Sequence, residues 1–257
     1  MRCYHEAQLH KENSFITLTY NNEHLPQDKS IHKSEVQKFL KRLRKNTGRT
    51  IRYFACGEYG DKNNRPHYHA IIFGYSFPDR KLWNIINGSP LYRSRLLEKT
   101  WKKGHSSIGE VTFESSAYVA RYVMKKRKGK PDEIDKHGKT NKEYYQALDT
   151  QTGEITEIQP EFCLMSRKPG IGLEWLKKYH KDTDKDFVTV RGKKMSLPKY
   201  YDTKLEELLN KDMENRKANR VKNINRKDNT RERLETREKV KIAQTTQLQR
   251  NLEETSS

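Results

Sequence analysis

Pro66-His67-Tyr68-His69-Ala70-Ile71-Ile72-Phe73 reads as a strand, entered through Pro66 and left at Gly74. Side chains alternate along a strand, so His67 and His69 share one face while Tyr68 and Ala70 take the other. The two histidine α-carbons are expected about 6.5 Å apart at the usual rise. Two imidazoles at that separation can close on one metal ion; an isolated pair can equally hydrogen-bond at a surface. Just upstream, Arg52 to Glu58 reads as a second strand, closed by Gly57 and Gly60. If the two strands pair antiparallel across the loop Asp61 to Arg65, Glu58 lies near the histidines. Two imidazoles and one carboxylate suit a divalent ion such as Mg²⁺ or Mn²⁺, whereas a thiolate-rich set would suggest zinc. Taken alone, Glu58 is equally readable as an exposed strand-end carboxylate.

Further out, Ser14-Phe15-Ile16-Thr17-Leu18-Thr19-Tyr20 is β-branched and alternating, another strand. From Ser34 to Asn46 the apolar residues Val36, Phe39, Leu40 and Leu43 recur at helical spacing, and Asn46 and Gly48 end the helix. Its other face carries Lys38, Lys41, Arg42, Arg44 and Lys45, a solvated face or a duplex contact. The pattern predicts a helix over Tyr92–Trp101, a short strand over Ile108–Phe113, and a helix capped by Ser115 or Ser116 that runs through Tyr118, Tyr122 and Met124. Strands with intervening helices indicate an α+β fold, one sheet covered by helices.

This places a core in residues 1–126. Residues 127–160 are polar and read as a loop or insertion. Residues 161–205 form an extension packing on the core, with a strand at Phe162–Met165, a turn at Pro169–Gly172 and a helical turn or two at Leu173–Tyr179. Residues 206–257 are a basic tail, helical or disordered. No aromatic residue follows Tyr201, and the sparse apolar positions of the tail keep no heptad.

The 257 residues include 53 Lys and Arg against 34 Asp and Glu, a formal net charge of +19. Only 32% are apolar, so part of the chain is not expected to bury a core. No stretch approaches the roughly 18 uncharged apolar residues of a membrane span, and no apolar signal-peptide run follows the first residues. Cys3, Cys56 and Cys163, odd in number and far apart in sequence, make neither a disulfide framework nor a CxxC clip, which suits a reducing cytoplasm. A strongly basic chain suits nucleic acid, an anionic membrane or an acidic protein. Its 14 Tyr, 3 Trp and 8 Phe favour nucleic acid, because rings stack on unpaired bases.

Ala117-Tyr118-Val119-Ala120-Arg121-Tyr122-Val123-Met124-Lys125-Lys126 supplies the second chemical element. On a helix, residues four apart share a face, so Tyr118 and Tyr122 are neighbours about 40° apart, with Lys125 about 20° to the other side of Tyr118. A lone YxxxY is equally a pair of core tyrosines. Beside a metal-binding histidine pair the meaning changes. A phenol can attack phosphorus and become covalently linked to it, while a metal polarises the phosphate and a lysine helps neutralise the developing charge. A free tyrosine has a pKa of about 10, so the phenol needs activation by the metal or a neighbouring base.

The order Phe15-Ile16-Thr17-Leu18-Thr19-Tyr20, Pro66-His67-Tyr68-His69 and Tyr118-Val119-Ala120-Arg121-Tyr122-Val123-Met124-Lys125-Lys126 resembles the three motifs of the HUH endonucleases, and more narrowly the replication initiators of gokushovirus-like microviruses. Thr17 to Pro26, Met165 to Gly172 and Pro198-Lys199-Tyr200-Tyr201-Asp202 are similar to that branch as well. The resemblance covers roughly residues 1–205. It implies a central antiparallel sheet with a ferredoxin-like or RRM-like core, carrying the histidines with the tyrosine helix opposite. It implies rolling-circle replication, with His67, His69 and Glu58 as metal ligands. One of Tyr118 and Tyr122 would attack the viral origin, leaving a 5′-phosphotyrosine and a free 3′-hydroxyl for a host polymerase. The other would cut the regenerated origin so that the circle is joined. The implied setting is the cytoplasm of a bacterial host, with single-stranded origin DNA as partner and no membrane. Members of that branch usually carry a further Cys- and Arg-containing leader, and this chain starts inside that region.

Arg121, Lys125, Lys126, Arg127, Lys128 and Lys130 follow or flank the proposed nucleophiles without an acid between them. They read as a phosphate-binding strip for single-stranded DNA or as a solvated linker. The tail suits non-specific DNA binding and equally a tether to a host helicase. Two competing readings are a non-catalytic basic single-strand DNA-binding protein with a structural histidine pair, and a transposase or relaxase of the same superfamily.

Overall fold

The computed structural model describes residues 1–60, 64–86, 88–126, 129–134, 138–148, 153–209 and 212–246, excepting the side chains of residues 122–125, 209, 226, 245 and 246. The chain forms two compact units, residues 1–175 and 176–257.

The first unit is built on a seven-stranded antiparallel sheet, the expected α+β architecture. Its strands are β1 (Asn13–Tyr20), β2 (Arg52–Tyr59), β3 (Pro66–Phe73), β4 (Lys81–Ile86), β5 (Ser89–Arg93), β6 (Gly104–Gly109) and, from far along the chain, β9 (Phe162–Met165). They lie in the order β4-β5-β6-β1-β3-β2-β9. The histidine-bearing β3 is therefore interior, hydrogen-bonded to β1 on one side and β2 on the other.

Alternation decides what each face carries. Ile16, Leu18 and Tyr20 of β1, Ala55 and Tyr59 of β2, and Tyr68, Ala70 and Ile72 of β3 enter one core. Helix α2 (Lys33–Thr47) covers this face with Val36, Phe39, Leu40 and Leu43, and α3 (Arg95–Trp101) adds Leu97 and Trp101. Gly48 ends α2 with φ 65°, a left-handed cap that costs glycine no Cβ clash. Part of the basic face of α2 is occupied by tertiary contacts. Arg42 donates to Thr100 O at 2.9 Å, and Arg44 to Ile51 O at 2.7 Å.

Tyr68, between the two histidines, has a structural task. Its hydroxyl lies 3.0 Å from that of Tyr20 and accepts the His32 N–H at 2.8 Å, fixing the entry to α2. Burial pushes both phenols above their ordinary pKa, so they act as neutral hydrogen-bonding groups.

The opposite face carries Phe15, Thr17, Cys56, Glu58, His67 and His69, and is covered by α1 (Arg2–Ala7) and α4 (Phe113–Lys125). Glu6 anchors α1 by accepting from Arg52 Nε at 2.5 Å and Gly172 N at 2.7 Å, while Arg2 Nε donates to Ile171 O at 2.9 Å. The His5 ring stacks on Trp175 with centroids 3.6 Å apart. The stretch Met165 to Gly172 thus serves as the seat of α1.

Three expectations shift. The helix expected over Tyr92–Trp101 begins only at Arg95. Ser94 caps it by accepting from Leu97 N at 3.1 Å, and residues up to Arg93 stay in β5. The strand expected over Ile108–Phe113 lies earlier, at Gly104–Gly109, because Thr112 and Ser115 form a reciprocal capping box that starts α4 at Phe113. Thr112, not Ser115 or Ser116, is the N-cap residue. The polar segment 127–160 holds, among its described residues, a short helix α5 (Asn141–Tyr144) and a hairpin of β7 (Gln146–Leu148) and β8 (Ile155–Glu157).

The cysteines, distant in sequence, do not stay apart: Cys56 and Cys163 are cross-strand partners of β2 and β9. No disulfide is formed. Burial pushes the Cys3 and Cys163 thiols up to about 11, so they remain protonated packing groups.

The second unit begins within α6 (Leu173–Tyr179). It holds a hairpin of β10 (Phe187–Val190) and β11 (Lys193–Ser196), followed by α7 (Lys199–Leu209), α8 (Met213–Lys222) and α9 (Arg231–Thr246). Arg220 of α8 bonds both Asp186 and Asp202, tying α8 to the hairpin and to α7. The described side chains of α9 are exposed. Among the described residues no helix is long and apolar enough to cross a membrane.

Candidate active site

The site is assembled by register. Glu58 on β2 is the direct cross-strand partner of His67, and His69 is flanked by Cys56 on one side and Thr17 of β1 on the other. Directly paired residues of an antiparallel sheet share a face, so the two imidazoles and the carboxylate lie on one surface. Glu58 Oε1 and His69 Nε2 are 2.7 Å apart, both fully buried. The other ring nitrogen, Nδ1, lies 3.0 Å from Thr17 Oγ1. With one nitrogen at a carboxylate and the other at a hydroxyl, the ring is fixed in orientation. Phe15 stacks against the same imidazole at 5.8 Å.

His67, nearer the strand end, is half-buried, and its Nδ1 lies 3.1 Å from Pro66 O. Its Nε2 approaches Gly60 so closely that a Cβ there would stand 2.8 Å away. Any larger residue at position 60 would push this ring out of place. Thr19 pairs with His67 on one side and His105 on the other, so exposed His105 shares the row.

Tyr118 completes the site. Helix α4 packs over β2, β3 and β9, and it buries the Tyr118 ring edge-on against His69, centroids 5.4 Å apart at 88°. The ring also meets Phe15 at 6.1 Å, and the Arg121 guanidinium lies 5.7 Å from its centroid.

The predicted residues divide accordingly. Glu58, His69, Tyr118 and Arg121 come together, and His67 shares their sheet face as the cross-strand partner of Glu58. Tyr122 and Lys125 lie on the backbone of α4, one and two turns beyond Tyr118, but their side chains are outside the described residues. Lys126 and Lys130 are exposed, while Arg127 and Lys128 lie outside the described residues. Sequence reasoning missed Thr17, Phe15 and Gly60. Thr17 and Phe15 sit in the first quoted motif, but only the β1–β3 register shows that they touch His69.

The donor set bears on a metal. Two imidazoles and a carboxylate on one face fit a divalent cation by chemistry. As they stand, Glu58 and His69 are hydrogen-bonded to each other, and no group of three His, Cys, Asp or Glu among the described residues is gathered to hold an ion. Beside the β2–β3 turn, a cleft of about 660 Å³ is lined by Lys29, Tyr59, Arg65, Pro66, Tyr144 and Tyr145, among others, mixing cations with rings.

Residues 13–127, which carry the sheet face and α4, match one family model throughout. That model describes replication-associated proteins of the ORF2 type, to which this part of the chain is similar. The chain is 32% identical over 212 residues to the replication-associated protein VP4 of Bdellovibrio phage phiMH2K, covering 78% of this chain and 60% of that protein. It is 33% identical over 210 residues to the replication-associated protein ORF2 of Spiroplasma virus 4, covering 76% and 58%. It is 40% identical over 130 residues to the replication-associated protein ORF4 of Chlamydia phage 1, covering 47% and 32%. These are microvirus proteins, in agreement with the resemblance drawn from the motifs. The chain spans about 60% or less of the length of these relatives. No solved structure matches it. The matched region ends two residues beyond α4, so Glu58, His67, His69, Tyr118 and Arg121 all fall inside it.

Proposed function

We propose that this chain is a rolling-circle replication initiator of the HUH type, a metal-dependent endonuclease and strand transferase that nicks and rejoins single-stranded viral origin DNA. The observation that carries the reading is the Tyr118 ring set 5.4 Å from the ring of His69, which itself bonds Glu58. A phenol beside an imidazole–carboxylate face is the arrangement that tyrosine transesterification requires.

A tyrosine oxygen, from Tyr118 or from Tyr122 one turn along, attacks the scissile phosphorus. The bond from phosphorus to the 3′ oxygen breaks, and that oxygen takes up a proton to become a 3′-hydroxyl. The 5′ phosphate stays on the tyrosine. A divalent cation, Mg²⁺ or Mn²⁺, held by His67, His69 and Glu58 would polarise the scissile phosphate. Lys125 helps neutralise the charge developing on the phosphate, and Arg121 contacts the DNA backbone. Thr17 and Phe15 hold the His69 ring in orientation. Lys126, Arg127, Lys128 and Lys130 guide the strand by phosphate contact. The second tyrosine attacks the regenerated origin and takes its 5′ phosphate, and the 3′-hydroxyl it frees attacks the first phosphotyrosine, closing the circle and releasing the first phenol. A host polymerase extends the 3′ end, a host helicase is the partner proposed for the tail, and the bacterial cytoplasm is the setting.

The test is incubation of the full chain with a single-stranded origin oligonucleotide and Mn²⁺, followed by mapping of the peptide–DNA adduct. The adduct is expected on Tyr118 or Tyr122, and replacing both with Phe abolishes it. Persistence of the adduct in that double variant sinks the nucleophile assignment. Binding of the oligonucleotide without cleavage under any divalent ion would leave a non-catalytic single-strand binder as the better description. Mn²⁺ is expected to raise the melting temperature of the wild type but not of a His67→Ala, His69→Ala variant, which tests the ligand set without any turnover.

A further inference from the structure

At the far edge of the same sheet lies a hairpin to which the nicking chemistry gives no task. Strand β4 is terminal in the sheet, paired only with β5. It exposes Leu82 at 58%, Trp83 at 40% and Ile85 at 59%. The other two tryptophans, Trp101 and Trp175, are buried. The register slips between Leu82 and Asn84, so Trp83 is the extra residue of a β-bulge. Bulges at sheet edges re-aim a side chain and end pairing. The Arg93 guanidinium then lies 4.1 Å from the centroid of the Trp83 ring.

Charge says what this hairpin meets. Arg80, Lys81, Arg93 and Arg95 are all exposed. Lys81 and Arg93 stand directly opposite each other across β4 and β5, a like-charge pairing that destabilises a bare hairpin. The one acid of residues 78–95, Asp79, is occupied at the start of α3, where it accepts from Ser94 Oγ at 2.6 Å and Leu96 N at 2.9 Å. A second copy of this edge would bring four more cations against these four. A polyanion with flat apolar faces satisfies both the charge and the exposed ring.

We infer that the β4–β5 hairpin is a second DNA contact, a wing on which an unpaired base stacks against Trp83 while Arg80, Lys81, Arg93 and Arg95 hold the flanking phosphates. The inference rests on the DNA partner proposed above, and adds a site outside the cleavage face, four strands from β3. Base–aromatic stacks are sequence-tolerant, so the wing takes single strand flanking the nick without reading it.

The experiment titrates the full chain with an unstructured 20-nucleotide single strand and with the matching duplex. In the wild type, single strand quenches the emission of exposed Trp83. Trp83→Ala is expected to weaken single-strand binding about tenfold, the size of one lost stack, and to leave duplex binding unchanged. Trp83→Phe keeps most of the affinity while losing the emission change. Unaltered single-strand affinity in Trp83→Ala overturns the wing. So does equal weakening on duplex, or a dimer that Trp83→Ala dissociates with DNA affinity untouched, which would make the edge a self-association surface. The two proposals separate cleanly. An adduct in the wild type with no Trp83 effect retains the nicking reading alone, whereas Trp83-dependent binding with no adduct retains the wing alone.

Discussion

Two hairpins of one sheet are treated oppositely. The β2–β3 hairpin is interior, paired on both sides, and its polar residues are buried and satisfied: Glu58 on His69, His69 on Thr17. The β4–β5 hairpin is at the edge, paired on one side, bulged, and Leu82, Trp83 and Ile85 face solvent beside its basic residues. An interior position holds groups at fixed separation, which chemistry needs. An edge leaves side chains free to meet a flexible strand, which binding tolerates. The same antiparallel ladder thus yields a site that must be rigid and a surface that need not be.

The largest contrast is in covalent chemistry. Replacing Tyr118 and Tyr122 together with Phe should remove the DNA adduct entirely, while Trp83→Ala leaves some adduct at saturating DNA. Gel analysis after protease digestion reads both. An adduct that depends on Trp83 as strictly as on the phenols would erase the distinction between the hairpins.

The cover over the first hairpin is sensitive to acid. Burial against Trp175 pushes the His5 pKa down to about 4 from 6.5. The folded state therefore holds His5 neutral where the unfolded chain protonates it. Stability is complete above about pH 6.5 and is lost as the pH falls toward 4, by about 2 kcal/mol at pH 5. Melting curves at pH 7 and pH 5 should show the loss in the wild type and a smaller one in His5→Phe. An equal loss in the variant would assign acid sensitivity elsewhere.

Stability then separates the two hairpins directly. Glu58→Ala leaves buried His69 without its carboxylate, an expected cost of about 1–3 kcal/mol in denaturant unfolding. The smallest effect is the most diagnostic: Trp83→Ala should change unfolding by no more than about 0.5 kcal/mol, as for an exposed surface site. A larger loss would mean that Trp83 is packing, not waiting for a ligand.

Much of the site was legible because it is locally periodic. His67 and His69 share a face by the period of a strand, and the apolar stripe of α2 follows from the period of a helix. The element boundaries near Ser94 and Thr112 differ from the expected ones by three to four residues, because the caps that set them compete with apolar patterning. β4 was not legible at all, since its exposed Leu82, Trp83 and Ile85 follow no buried face and its bulge breaks alternation.

By itself the sequence determined the strand with its histidine pair, the helix with its paired tyrosines, the basic charge and the α+β class. Each depends on neighbours within a few residues. Tertiary structure alone decided that Glu58 reaches His69, that Thr17 and Phe15 fix that ring, that Tyr118 lies over it, and that Cys56 meets Cys163. Those contacts join residues 11 to 107 positions apart, and register between distant strands is set by packing of the whole sheet, which no local period encodes.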